Sequence, residues 1–177
     1  YDDLINANIP TKSDCFSTVC SSKKQMHTLH KARLKFTQNL KCEVPELEIF
    51  GRGHREIEDK AEALDRYKYH LVIENHKAPN HWTEKLSDAY LGFCLPFYHG
   101  CPNVAEYFPE QSFIPIDIYK PDEAKKIIMD SIASNEYESR LNSIKEARNN
   151  VLIKHNLFAC LSRLIPTLKT GEVTNQG

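Results

Sequence analysis

Apolar positions along the chain change period several times, and each change marks an element. The pattern is clearest between Tyr69 and Gly100. The run His70-Leu71-Val72-Ile73 is short and apolar and stops at Glu74-Asn75, which predicts a strand buried on both faces of a parallel sheet. After a polar loop, Trp82, Leu86, Ala89, Tyr90 and Phe93 recur at helical spacing. They predict a helix opened by Pro79-Asn80, with Asn80 as its N-cap, followed by a short strand that holds Pro96.

The rest of the chain has the same rhythm. Tyr1 to Asp14 reads as an extended or loosely helical lead-in broken at Pro10, and Cys15 to Ser21 as a first strand ending in polar Ser21-Ser22-Lys23-Lys24. A helix from about Lys24 to Leu40 carries Met26, Leu29, Ala32, Phe36 and Leu40 on its inner stripe, with Arg33 near that stripe. Leu47 to Phe50 is a second strand closed by the turn Gly51-Arg52-Gly53. Glu56 to Tyr67 reads as a charged crossover helix with only Ile57, Ala61 and Leu64 to bury. Beyond Gly100 the pattern predicts a short helix over Asn103 to Tyr107, a strand over Ser112 to Ile118 and a helix started by Pro121. A charged helix over Glu136 to Asn149 follows. A last apolar helix from Val151 to Leu168 has Leu152, Leu157, Phe158, Leu161, Leu164 and Ile165 as its buried side and runs into Pro166.

Strands alternating with helices predict an α/β fold, a Rossmann-like parallel sheet with helices on both faces. The expected layout is a lead-in over 1–14, one domain over 15–166 and a polar, fraying tail over 167–177. Ligands of such sheets bind outside the carboxyl ends of the strands. Those ends are Ser21-Ser22, Gly51-Arg52, Asn75 to His81 and His99-Gly100, and Arg33, Asn75, Glu84 and Lys85 converge on that edge.

Composition narrows the picture only a little. With 177 residues, 41% hydrophobic, and a net charge of −1, the chain suits one globular domain and lacks the basic stripe of a nucleic-acid protein. It has no long apolar run for a membrane span and no signal peptide; it opens on Tyr1, as a fragment of something longer would. Six cysteines form no CxxC and fit no zinc spacing, so a reducing cytoplasm is the simplest compartment. The histidines show no metal-ligand spacing and no Asp-x-Asp occurs.

Two cations stand out chemically. Lys85 falls at a helix start, where the macrodipole disfavours a cation unless an anion binds there; the plainer alternative is a solvated surface lysine. Arg33 either snorkels from its helix flank or reaches an anion with its guanidinium fork.

The segments Ile73-Glu74-Asn75, Thr83-Glu84-Lys85-Leu86, Leu95-Pro96 and Gly100 resemble, in order and spacing, the signature of the family ten glycosyltransferases, the α1,3/α1,4-fucosyltransferases. Gly100-Cys101-Pro102-Asn103-Val104, Phe108-Pro109, Ser112-Phe113-Ile114 and Asp117 continue it, and the resemblance runs from about Ser17 to about Arg140. It implies the C-terminal lobe of a two-lobed GT-B enzyme that binds GDP-fucose and transfers fucose with inversion and without a metal cofactor. On the matching positions, Arg33 and Lys85 become the catalytic cations at the donor diphosphate. Glu84 meets the ribose hydroxyls, Asn75 orients the donor and His81 joins the donor site. Asn80-His81-Trp82 departs from the family's Asp-Tyr-Val/Ile run. Histidine in place of tyrosine keeps one hydrogen bond and a stacking surface and opens a pH dependence.

The resemblance also implies an N-terminal lobe that holds the glycan acceptor and the general base, which a chain of this length has no room for. The expectation is therefore a donor lobe with no nucleic-acid partner and no membrane association except through segments outside this sequence. It would sit in a bacterial-type cytoplasm, peripheral to the membrane, or in the Golgi lumen if eukaryotic. Two alternatives stay open: a related lobe for another nucleotide sugar, and a non-catalytic interaction domain on the same fold.

Overall fold

The computed structural model describes residues 2–21 and 29–170. A short helix α1 (Asp2–Ile5) leads into strand β1 (Asp14–Val19), helix α2 (His30–Glu43), strand β2 (Leu47–Phe50) and strand β3 (Tyr67–Ile73). Helix α3 (Glu84–Leu91), strand β4 (Leu95–His99) and a two-residue strand β5 (Ile114–Pro115) follow, then helices α4 (Pro121–Ala133), α5 (Glu136–Asn149) and α6 (Leu157–Thr170). The five strands form one sheet in the order β2-β1-β3-β4-β5, and every pair is parallel. This is the expected Rossmann-like α/β architecture.

Period-two alternation explains why the central strands are apolar throughout. Tyr69, Leu71 and Ile73 of β3 enter a core shared with Phe36 and Leu40 of α2, Ile128 of α4 and Ile144 of α5. Val72 points into the opposite core with Leu86, Ala89 and Tyr90 of α3. Both faces are covered, so neither tolerates polar side chains freely. Tyr69 stacks on Phe97 at 5.4 Å, and Phe16 meets Phe97 edge-on at 5.3 Å. The Tyr69 hydroxyl donates to the Ser131 carbonyl and accepts from the Tyr137 N–H, fastening the α4–α5 turn to the sheet.

Several sequence expectations need correction. Glu56 to Tyr67 is not a helix; only a single 3-10 turn forms, over Lys60–Ala63. The Asp59 carboxylate and Glu62 close a capping box around that turn, and Leu64 leaves helical geometry, so that Tyr67 already begins β3. Most of its residues are charged, which leaves a helix little to bury, and Tyr67 is drawn into the sheet instead. Asn80 is not the N-cap of α3. It sits at φ 59° in the preceding turn, and Thr83 caps the helix instead. Trp82 consequently lies before the helix, packed edge-on against Phe108 and His155. The strand expected over Ser112 to Ile118 shrinks to β5, and the helix over Asn103 to Tyr107 is a 3-10 turn, Val104–Glu106.

The two ends of the chain also differ from expectation. Asp14 belongs to β1, not to the lead-in, and Lys12 drives its ammonium into the body to donate to the Leu64 carbonyl at 3.1 Å. Of the apolar residues expected to be buried near the C-terminus, only Leu152 is. Residues Asn150–Lys154 form a π turn, and α6 presents Leu157, Phe158, Leu161, Leu164 and Ile165 to solvent. Pro166 falls inside α6, which runs to Thr170 in the stretch expected to fray; residues 171–177 lie outside the described ones, as do Ser22 to Lys24 and Met26. Among the described residues no helix is long and apolar enough to cross a membrane.

Candidate functional site

The site is organised by the last two residues leaving β3, which turn to opposite sides. Asn75 faces α2. Its carbonyl accepts the Leu29 N–H at 2.9 Å just before that helix begins, and its side-chain oxygen accepts from Arg33 Nη1 at 3.0 Å. Arg33 is 7% exposed, and its Nε has no hydrogen-bond partner among the described residues. Burial pushes the neighbouring Cys20 thiol up, against the pull of the Arg33 charge.

Glu74 faces α3 and is fully buried. Its Oε1 accepts the Thr83 N–H at 2.9 Å, and its Oε2 accepts the Thr83 hydroxyl at 2.6 Å. The same Oε2 lies 3.8 Å from the Lys85 ammonium. Lys85 also donates to Glu84 at 3.0 Å and to the Thr83 hydroxyl oxygen at 3.3 Å. Burial opposes ionisation of Glu84, yet the bond and charge from Lys85 outweigh it and hold that carboxyl below its usual range. Adjacent residues just past β3 therefore stand beside the two cations, Glu74 beside Lys85 and Asn75 bonded to Arg33.

Between them lies a cavity of about 180 Å³ at the carboxyl edge of the sheet. Arg33, Glu84 and Lys85 line it together with Thr18, Ser21 and His70. His70 is buried on its floor and paired with the Ser17 hydroxyl at 2.8 Å; burial, then the charges of Lys12 and Lys60, push its pKa down to about 3. The floor histidine is thus neutral near pH 7, and the charged lining is Arg33, Lys60 and Lys85 against Glu84 and Asp88. A volume below the roughly 300 Å³ of ordinary ligand sites means that a nucleotide would extend beyond the cavity along the strand ends. A larger cavity of about 540 Å³ lies past β4, lined by Lys77, His99 and Arg140, but none of the residues predicted as a site lines it.

Of the predicted residues, Arg33, Glu84 and Lys85 meet in the cavity, and Asn75 acts on it through Arg33. His81 does not line it; it is exposed on the loop between β3 and α3, its ring 6.0 Å from His76. That loop is tied down elsewhere, since Asn80 takes hydrogen bonds from Asn103 and from the Tyr107 hydroxyl. Sequence reasoning passed over Glu74 and His70 as parts of the site. The signal for Glu74 was available: a carboxylate directly after an apolar strand has to be paired if it is buried. Among the described residues no group of three His, Cys, Asp or Glu side chains could hold a metal ion.

Residues 9–141 match the family described as "Glycosyltransferase family 10 (fucosyltransferase) C-term". Alpha-(1,3)-fucosyltransferase FucT of Helicobacter pylori is 39% identical over 64 residues, which are 36% of this chain and 13% of that protein. The chimpanzee (Pan troglodytes) 3-galactosyl-N-acetylglucosaminide 4-alpha-L-fucosyltransferase FUT3 is 28% identical over 118 residues, 64% of this chain and 30% of that one. A crystal structure of alpha1,3-fucosyltransferase with GDP-fucose superimposes with a TM-score of 0.62 at 30% identity, covering 73% of this chain and 38% of its own. TarM, 9% identical with a TM-score of 0.56, shares the fold. The chain thus spans well under half the length of these relatives.

Proposed function

The chain belongs to glycosyltransferase family 10, and from that membership we propose that it forms the donor-binding lobe of an inverting, metal-independent fucosyltransferase. The reaction is transfer of fucose from GDP-fucose to a hydroxyl of a glycan acceptor. The observation that carries this reading is the convergence of Arg33, Glu84 and Lys85 on one cavity at the carboxyl edge of a parallel sheet.

Each residue has a task that its surroundings suit. As the glycosidic bond to fucose breaks, negative charge grows on the leaving diphosphate. Arg33 and Lys85, already fixed by Asn75 and Glu74, meet that charge without having to reorganise, and preorganised charge is the most effective kind. The Arg33 fork suits two phosphate oxygens at once, whereas Lys85 acts as a point charge. Glu84 is held ionised by Lys85 and is an acceptor for ribose hydroxyls. His81, on the loop beside the site, offers a ring to the base in place of the family's tyrosine. The same two cations do the neutralising that a metal ion does in other sugar transfers. The acceptor hydroxyl must still lose its proton, and that step falls to a carboxylate of the acceptor-binding region.

Calorimetric titration tests the reading. GDP and GDP-fucose should bind the chain and UDP should bind much more weakly. Lys85→Ala and Arg33→Ala should each weaken GDP binding about tenfold or more, the equivalent of roughly 1.4 kcal/mol. Absence of GDP binding, or full affinity in Lys85→Ala, would overturn it; a preference for UDP would favour a lobe for a different nucleotide sugar.

A further inference from the structure

Glu74 is 0% exposed, and a buried carboxylate is stable only when its oxygens are engaged. Here one partner residue, Thr83, engages both oxygens, through its N–H at 2.9 Å and its hydroxyl at 2.6 Å. The hydroxyl proton is thereby committed to Glu74, which leaves the lone pairs of the Thr83 oxygen facing the start of α3. Both approaches to those lone pairs come from Lys85, its backbone N–H at 3.4 Å and its ammonium at 3.3 Å. The carboxylate itself adds attraction across 3.8 Å. Glutamine could keep both contacts only by making the Thr83 hydroxyl an acceptor, which would turn its proton away from the carboxylate position and towards Lys85. The back of the carboxylate stem is fixed as well: a Cβ at Gly100 would come within 2.5 Å of Glu74 Cγ and of the Tyr98 hydroxyl oxygen.

We propose that Glu74, acting through Thr83, is the positioning residue that holds the Lys85 ammonium at the rim of the cavity in the place where a diphosphate binds. The inference rests on the proposed role of Lys85 at the diphosphate. Glu74 itself touches no ligand. Glu84 meets the Lys85 ammonium at 3.0 Å from the exposed side, and together with it Glu74 makes a flexible lysine a fixed charge, so the contribution of Glu74 belongs to the phosphates and not to the nucleoside.

The test compares affinities for GDP and for guanosine, measured on the same chain by competition with a fluorescent GDP analogue. In Lys85→Ala, Thr83→Val and Glu74→Gln, GDP affinity should fall about tenfold, the worth of one charge-assisted hydrogen bond, with guanosine affinity held within about twofold. Thr83→Ser, which keeps the hydroxyl, should stay within about twofold for both ligands. Glu74→Gln changes a fully buried site and can cost folding; Thr83→Val keeps the volume and the backbone donor to Glu74, and the guanosine control separates its loss of the α3 cap from a loss at the phosphates. If Lys85→Ala lowers the GDP-to-guanosine preference but Thr83→Val leaves it intact, the positioning role is overturned and the role of Lys85 stands. If Lys85→Ala also leaves the preference intact, both fall. Equal losses for GDP and guanosine in Thr83→Val would mark Glu74 as a purely structural group and overturn the inference.

Discussion

Helices α3 and α6 carry the same kind of pattern in sequence, an apolar stripe at helical spacing, and have opposite fates. α3 drops Leu86, Ala89 and Tyr90 to 0% exposure beneath the sheet, and the Tyr90 hydroxyl pairs with Ser112 at 3.0 Å. α6 leaves Leu157 67% and Phe158 81% exposed. The difference lies in what precedes each helix. At the entry to α3 a polar lock, Glu74 on Thr83, ties the first turn to the end of β3. The entry to α6 is a π turn that shows no such lock onto the sheet among the described residues, and α6 leaves Leu157, Phe158 and Leu161 exposed. An apolar stripe states that a face wants a partner; a polar anchor at the helix start determines which partner the fold supplies.

The sharpest way to break this comparison is to shorten matched leucines. Leu86→Ala should cost about 2–5 kcal/mol, the usual range for emptying a packed site, and should lower the urea midpoint accordingly. Leu161→Ala, at 42% exposure, should cost under about 1 kcal/mol in the same measurement. Equal losses would mean that the α6 stripe is packed in solution as firmly as that of α3.

A smaller effect separates two histidines, His70 beneath the α3 side of the sheet and His155 at the root of α6. Burial pushes the pKa of both down, that of His70 to about 3, and His155 sits among Trp82, Tyr107 and Phe108. A histidine that is neutral when folded and protonated when unfolded stabilises the fold above its unfolded pKa. That stability is lost as pH falls below about 6.5, because the unfolded chain then binds a proton that the folded one refuses. For His70 the slope should approach about 1.4 kcal/mol per pH unit between pH 6 and pH 4. His70→Leu should flatten that slope, and Ser17 would keep its bond to the Ala63 carbonyl at 2.6 Å. His155→Leu should flatten it less. Chemical denaturation at a series of pH values checks both; an unchanged slope in His70→Leu would refute the assignment.

How much of this was legible beforehand follows from the same contrast. The strand Leu71-Val72-Ile73 and the stripe of Leu86, Ala89 and Tyr90 were readable because burial on a regular period leaves its mark in composition. Arg33 and Lys85 were recognisable as a pair only through the family resemblance, since nothing in a sequence shows that residues 52 positions apart share a cavity. Glu74 went unnoticed as an anchor because its partner Thr83 lies across a loop whose path depends on Asn80 adopting positive φ and on Asn103 holding it there. The crossover at 56–67 was misread for a related reason: its charge pattern suits a helix and Asp59 with Glu62 opens one, but Leu64 leaves helical geometry after a single turn and Tyr67 joins the sheet.

The smallest expected change gives the strictest reading of α6. Phe158 is 81% exposed, so Phe158→Ser removes a ring that contributes little burial in the folded chain. Stability should change by no more than about 0.5 kcal/mol, as for surface positions generally. Solubility should rise, since a large exposed aromatic on an apolar stripe favours self-association. A loss above about 1 kcal/mol that vanishes on dilution would show instead that Phe158 is covered by a second copy in solution, because only a bimolecular contact makes stability depend on concentration. The same loss at every concentration would place the stripe against the body of its own chain. In that case the polar lock would not be what distinguishes α3 from α6.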